Sequence, residues 1–167
     1  MLLLTTGGVV AGDATQPLPD LDARRSELLA EANAAIDTAV RRDGREVTWI
    51  GVEEQRRAAR RNPTLSLEPD HFATEYLFDP KVDRIPDPLW GQLRTLAAVT
   101  SARYVVAPAA VKIFGTTGSL TAAYIVVLAD ARSGSVLARL RAQGHAAPTA
   151  EAALALAAGT LIATPLH

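Results

Sequence analysis

Between Leu120 and Ala129 every residue except Thr121 is apolar, on both alternating sides of a strand: Leu120, Ala122, Tyr124, Val126 and Leu128 against Ala123, Ile125, Val127 and Ala129. A strand of this kind belongs in the middle of a sheet, with at least part of both faces covered. Its neighbours follow from the turns beside it. Asp130-Ala131-Arg132-Ser133-Gly134 leaves room only for a tight hairpin, with Gly134 at the left-handed position, and residues 115–119 form the turn on the other side. The strand before it, residues 103–114, is broken near Pro108, which cannot donate to a ladder and marks a bulge or an edge. The strand after it alternates, with Val136, Ala138, Leu140 and Ala142 facing in and Leu137, Arg139, Arg141, Gln143 and His145 facing out. One face of that last strand is wet or meets a partner.

The first half supplies the layers. Residues 2–10 read as a first strand, and the absence of a basic leader argues against a secretory signal. A strand starting at residue 2 is the pattern expected of a chain whose targeting segment has been replaced by Met1. Asp20 is placed as an N-cap, followed by Leu21, Leu28, Leu29, Ala32, Ile36, Ala39 and Val40 at helical spacing, with Arg41, Arg42 and Gly44 closing the helix. The β-branched and aromatic content of residues 47–52 predicts a short second strand. Residues 53–61 form a helix with acids first and arginines last, ended by Asn62-Pro63. Asp87-Pro88 begins another, with Leu89, Leu93, Leu96 and Ala97 on one side, and Thr149 caps a last Ala-rich helix. The expected order is β-α-β-α-(loop)-α-β-β-β-α: an α/β (mixed α+β) fold with a mixed five-stranded sheet and a C-terminal meander.

Residues 62–88 stand apart. They hold half of the chain's prolines and carry Glu68, Asp70, Glu75, Asp79, Asp83 and Asp87 against only Lys81 and Arg84. Loops this long inside a compact domain are either functional or disordered, though Phe72, Tyr76, Leu77 and Phe78 have enough apolar surface to pin a short helix. Insertion, cover and partner loop are all open for this Pro-rich acidic excursion, within a chain expected to form a single domain over residues 1–167.

Composition excludes several function classes. There are no Cys residues, so thiolate metal sites, thiol nucleophiles and disulfides are ruled out. A net charge of −1 with 21% charged residues excludes a globally basic nucleic-acid binder. That total conceals a division, about −4 over residues 1–100 and about +3 over residues 101–167. Aromatics at 5% leave little for base stacking, and with Ala near a fifth of the chain the core is built from small and aliphatic side chains. The three histidines, His71, His145 and His167, are scattered and match no ligand motif, and no G-x-S-x-G nucleophile elbow occurs. No catalytic residue, metal site, cofactor or small-molecule substrate is expected. The densest cationic cluster is Arg56, Arg57, Arg60 and Arg61, paired at i and i+4 on one helix; with Glu53 and Glu54 before it and the acidic loop after, a solvated helix or an arginine clamp on that loop outweighs phosphate binding.

The apolar helix from Leu93, the meander with its turn Asp130-Ala131-Arg132-Ser133-Gly134-Ser135-Val136, and the closing Ala-rich helix together resemble the α/β domain shared by the CsgG curli-secretion lipoprotein, the LpoB-type activators of peptidoglycan synthases and the amino-terminal domain of TolB. The strand-turn pattern D-x-x-S/T-G-x-V is its most specific part, and the acidic excursion is longer than the group's usual link. The resemblance implies a non-catalytic interaction domain in the periplasm or cell envelope, peripheral to a membrane at most, whose lipid-bearing Cys is absent here. The expected partner is a protein or a second copy, contacted through Arg56, Arg57, Arg60, Arg61, Arg139 and Arg141. Two alternatives stand beside it. One is a nucleotide or nucleic-acid binder using the Arg56 to Arg61 helix, since the arrangement is also similar to anticodon-binding-like domains; the other is an uncharacterised hydrolase built on loop carboxylates around His71.

Overall fold

A computed structural model describes residues 1–12, 17–43 and 47–164. The meander forms as expected, with β3 (Tyr104–Thr116) antiparallel to β4 (Ser119–Asp130) and β4 antiparallel to β5 (Val136–Gln143). The first strand forms in two pieces, β1 (Leu2–Leu3) and β2 (Val9–Ala11), both parallel to β3, so the mixed sheet has five strands with β4 central.

The break between β1 and β2 has a steric cause. Around Pro108 and Ala110 the β3–β4 register shifts by one residue, and Ala109 is the extra residue of a bulge. Gly7 lies against it, its N–H donating to the Pro108 carbonyl at 2.9 Å. A Cβ on Gly7 would stand 2.5 Å from the Glu75 backbone nitrogen and 2.6 Å from the Ala109 carbonyl oxygen, so backbone from three parts of the chain meets at a point only glycine fits.

Each face of the sheet has its own cover. On one side, helices α2 (Arg25–Asp43) and α5 (Ala150–Ala163) set Leu28, Ala32, Ile36, Ala153, Leu154 and Leu161 against Val106, Ile113, Ala122, Tyr124 and Val126. Tyr124 is fully buried there, donating its hydroxyl to the Ala32 carbonyl at 2.9 Å, and burial pushes its phenol above the usual range. On the other side lie α4 (Leu89–Thr100) and the excursion, whose Phe72, Leu77 and Ile85 join Leu89, Leu93 and Leu96 over Val105, Ala107, Val127 and Ala129. The excursion is thus a cover for the sheet. It contains two 3-10 turns, Pro63–Leu65 and Thr74–Phe78.

Several boundaries differ from expectation. Residues 47–52 contribute one parallel bridge, Ile50 to Leu2, and no strand. Gly51 is the N-cap of α3 (Val52–Arg61), whose first-turn Glu53 and Glu54 suit the helix dipole, so helix formation takes the residues that would have prolonged the pairing. Gln55, fully buried in α3, donates from Nε2 to the carbonyls of Leu3 (2.7 Å) and Ile50 (2.9 Å) and ties the helix to both. The helix expected from Asp20 is split into α1 (Pro19–Asp22) and α2, while Gly44 lies outside the described residues. Asp87 does not cap α4, for Pro88 takes the N-cap position. Thr149 does cap α5, its Oγ1 accepting from the Ala152 N–H at 3.2 Å. Val136 lies on the α4 side rather than with Ala138, because the β4–β5 register slips between Leu128 and Ala129 and Leu137 is the additional residue.

The Asp130 turn also has a physical account. Its carboxylate accepts from the Arg103 Nε at 2.9 Å and from the Arg132 and Ser133 backbone N–H groups at 2.8 and 3.4 Å, and the Arg103 guanidinium foremost holds it below the usual aspartate range. Gly134 closes the turn at φ +73°, where a Cβ would also press on the Trp90 ring at 3.0 to 3.1 Å.

Gly7→Ala is expected to cost about 1–3 kcal/mol through overpacking, read as a lower urea midpoint at unchanged slope. A depressed folded-state pKa at Asp130 contributes stability above the unfolded aspartate value of about 3.9, and that contribution is lost as pH falls through the folded value. Asp130→Asn should therefore lose less stability than the parent between neutral pH and acid; equal losses in urea titrations at the two pH values would remove this account.

Candidate functional site

The cover on the second face stops partway along the sheet. Above the Ala109 bulge the rows Val105–Ala129 and Ala107–Val127 lie under α4 and the excursion. Beyond it the register brings three further rows to the same face: Ala110–Ile125–Arg141, Val10–Lys112–Ala123–Gln143, and Phe114–Thr121. Here the small Ala110 and Ala123 are buried beneath larger neighbours, while Lys112, Phe114, Thr121 and Ile125 are half-buried and Val10, Arg141 and Gln143 are exposed. The excursion reaches this half through its 3-10 turn Thr74–Phe78, whose Phe78 ring lies against Lys112, and it leaves Phe114, Thr121 and Ile125 half-buried and Val10, Arg141 and Gln143 exposed.

The charges of this open half are of one sign. Its titratable side chains are Lys112 and Arg141, with Arg139 at its upper border. Lys112 Nζ lies 5.2 Å from the centre of the Phe78 ring, and the Arg141 guanidinium 5.9 Å from that of Phe114, so both cations rest on aromatic faces. Arg141 also donates to the Gln143 Oε1 at 2.9 Å. Such contacts hold long side chains flat and lower the entropy lost when a partner covers them. The resulting surface has aliphatic, aromatic and cationic groups and no carboxylate within the three rows.

The six arginines expected to form partner surfaces do not come together. Arg56 to Arg61 ride on α3, beside Ile50 and β1, while Arg139 and Arg141 lie on β5 at the opposite edge. Arg56 is the clamp on the acidic excursion: Nε lies 2.9 Å from Asp70 Oδ2, one terminal nitrogen 2.6 Å from Asp70 Oδ1, and the other on Glu53. That pairing holds the Asp70 carboxyl below its usual range. Arg57 stands 3.9 Å from Glu54, and Arg60 and Arg61 are exposed without an ion pair among the described residues. Arg139 faces the excursion rather than solvent, donating to the Leu77 carbonyl at 2.6 Å and to the Val82 carbonyl, and so tethers the cover where it leaves the sheet. Lys112, Phe114, Phe78 and Ile125 were not read from sequence as contact residues; Phe78 and Ile125 were read as apolar support for the excursion and for the central strand. Their signal was the polar Lys112 and Thr121 at the ends of otherwise apolar strands.

The hydrolase alternative directs attention to cavities and to His71. A cavity of about 520 Å³ opens between α2, α3 and the end of β1, with Asp37, Glu53, Arg56 and Asp70 in its lining. Its carboxylates are held by arginines, Asp37 by Arg41 at 2.6 Å and the other two by Arg56. Of these, Asp70 is held below its usual range by Arg56 foremost, and a carboxyl so held is poorly suited to donate a proton near neutral pH. His71 lies at the surface with its Nδ1 3.5 Å from Glu68 Oε2, His145 is exposed beyond β5, and His167 lies outside the described residues. No group of three or more His, Asp or Glu residues that could hold a metal ion occurs among the described residues.

Arg139→Ala should leave the Leu77 and Val82 carbonyls without their donor, at a cost of about 1–3 kcal/mol. Amide exchange of residues 78–84 should accelerate more than that of β3 and β4; uniform acceleration would show that the tether does not act locally.

No family model matches the chain, and no curated protein matches it. Among solved structures it is similar to the LpoB C-terminal domain of Salmonella enterica, at 11% identity over 86% of this chain and 81% of that one, with a TM-score of 0.40. It is likewise similar to the LpoB C-terminal domain of Escherichia coli, at 14% identity over 85% and 80% of the two chains, with a TM-score of 0.38. Both of these structures are LpoB domains, and neither is a CsgG or TolB protein.

Proposed function

We propose that the chain is a non-catalytic protein-interaction domain of a bacterial cell-envelope protein, acting as one domain, and that its partner lands on the open half of the sheet. The observation that carries this reading is the half-cover itself. The chain spends a long segment on shielding one end of the face, yet leaves Ile125, Phe114 and Val10 accessible at the other, with Lys112 and Arg141 set among them. Partly apolar surface rimmed by charge of one sign is what a complementary, acidic protein surface recognises. The envelope location rests on the sequence resemblance.

The Arg56 to Arg61 helix takes second place as a contact surface, because Arg56 is already spent on Asp70 and Glu53. Charge reversal separates the two. Lys112→Glu with Arg141→Glu should weaken capture of an identified partner from an envelope extract by about tenfold or more, while Arg57→Glu with Arg61→Glu leaves it near the parental level. Both variants should melt near the parent, since all four side chains are at least partly exposed. The opposite pattern, or salt-dependent binding of nucleic acid lost only in the Arg57 and Arg61 variant, would overturn this assignment.

A further inference from the structure

β5 is the last strand of the sheet, and its outer edge is covered only at the start. Leu120 exchanges two backbone hydrogen bonds with Ala147, at 2.8 and 2.7 Å, and the Gly144 N–H donates to the Ala122 carbonyl at 3.1 Å. In an antiparallel ladder these fix the alternation: Tyr124 with Ala142 and Val126 with Leu140 are the bonded pairs, and the N–H and C=O groups of Arg139, Arg141 and Gln143 point away from the sheet. At the start of the edge the excursion pairs with it. The Val136 N–H donates to the Asp83 carbonyl at 2.9 Å, the Ile85 N–H donates to the Gly134 carbonyl at 2.8 Å, and Arg84 bridges antiparallel to Ser135. Past Val136, no backbone hydrogen bond reaches the outer edge among the described residues.

We infer that the remaining edge, from Arg139 to Gln143, is a strand-addition site for an acidic, extended segment of a partner protein. This inference rests on the open face being the partner surface, and it adds how the partner is held and what chemistry it carries. Strand addition satisfies the outward backbone groups, and the side chains of alternate residues supply specificity. On an added strand every second side chain lies on the face of Arg141 and Lys112, where a carboxylate is favoured and a cation is not. The chain already shows the edge in use by a segment of its own, Asp83-Arg84-Ile85, whose pairing stops at Val136, three residues before Arg139. A second copy is a poor occupant, because pairing two β5 edges about a two-fold axis would bring the arginines of the two copies together on one face, like charge against like.

The test uses the full chain and a labelled peptide of alternating glutamate and valine, followed by fluorescence anisotropy and by amide exchange. The peptide should bind and slow exchange at Arg141 and Gln143, and a lysine-valine peptide should not. Two N-methylated versions, one blocked at every glutamate amide and one at every valine amide, test the ladder: one should lose about tenfold or more in affinity and the other should bind like the parent. Gln143→Pro, which removes an outward N–H at an edge position where proline is tolerated, should weaken binding without unfolding. Failure of the acidic peptide to bind overturns the inference, as does equal binding of both methylated peptides, or a dimer in sedimentation that Gln143→Pro dissolves. The equal-binding result together with loss of partner capture in the Lys112 and Arg141 variant would discard strand addition alone and leave the open face as the partner surface.

Discussion

The burial of β4 on both faces is the condition on which the rest of the molecule depends. Tyr124, Val126 and Val127 are wholly inaccessible to water, and they point to opposite sides. One side is met by two helices whose Ala-rich stripes allow close approach. The other is met by a single helix and a segment that is mostly irregular, so it must be held by specific contacts rather than by helical periodicity. Phe72, Leu77 and Ile85 supply the apolar surface, and Arg56, Thr74, Arg84 and Arg139 fasten the backbone around it. Each tether offsets part of the entropy lost in ordering a segment with little regular structure of its own.

Charge follows the same division. The acidic excursion lies across apolar rows of the sheet, Val105–Ala129 and Ala107–Val127, and cations fasten it at its borders. Arg139 is consumed by the excursion's Leu77 and Val82 carbonyls, and Arg56 by Asp70. Lys112 and Arg141 are not, and their contacts with Phe78 and Phe114 keep them extended over the sheet. The near-neutral total therefore describes neither surface. What a partner would meet is the positive remainder left after the chain has satisfied itself.

Much of this was legible beforehand, for reasons that can be traced to particular residues. The meander followed from turns too short to admit a helix, and the central place of β4 from its two apolar faces. Thr149 and Asn62 marked helix boundaries because capping and proline sterics act locally. Reading failed where a local preference met a tertiary competitor. Residues 47–52 have strand-like side chains, yet Gly51 and the two glutamates after it favour a helix start, and pairing shrank to Ile50. Val136 changed faces because one additional residue at Leu137 reverses every alternation beyond it.

By itself the amino-acid sequence determined the fold class, the order of strands in the meander, the existence of a both-sides-buried central strand and the absence of thiol chemistry, since these depend on periodicity, turn length and residue type. Only the tertiary structure decided that the excursion is a cover, that it reaches the open rows only as far as the Phe78 ring on Lys112, and that the arginines read as contact residues lie at opposite edges of the sheet. Those outcomes depend on which residues, distant in the chain, arrive at the same face, and register carries that information while composition and local pattern do not.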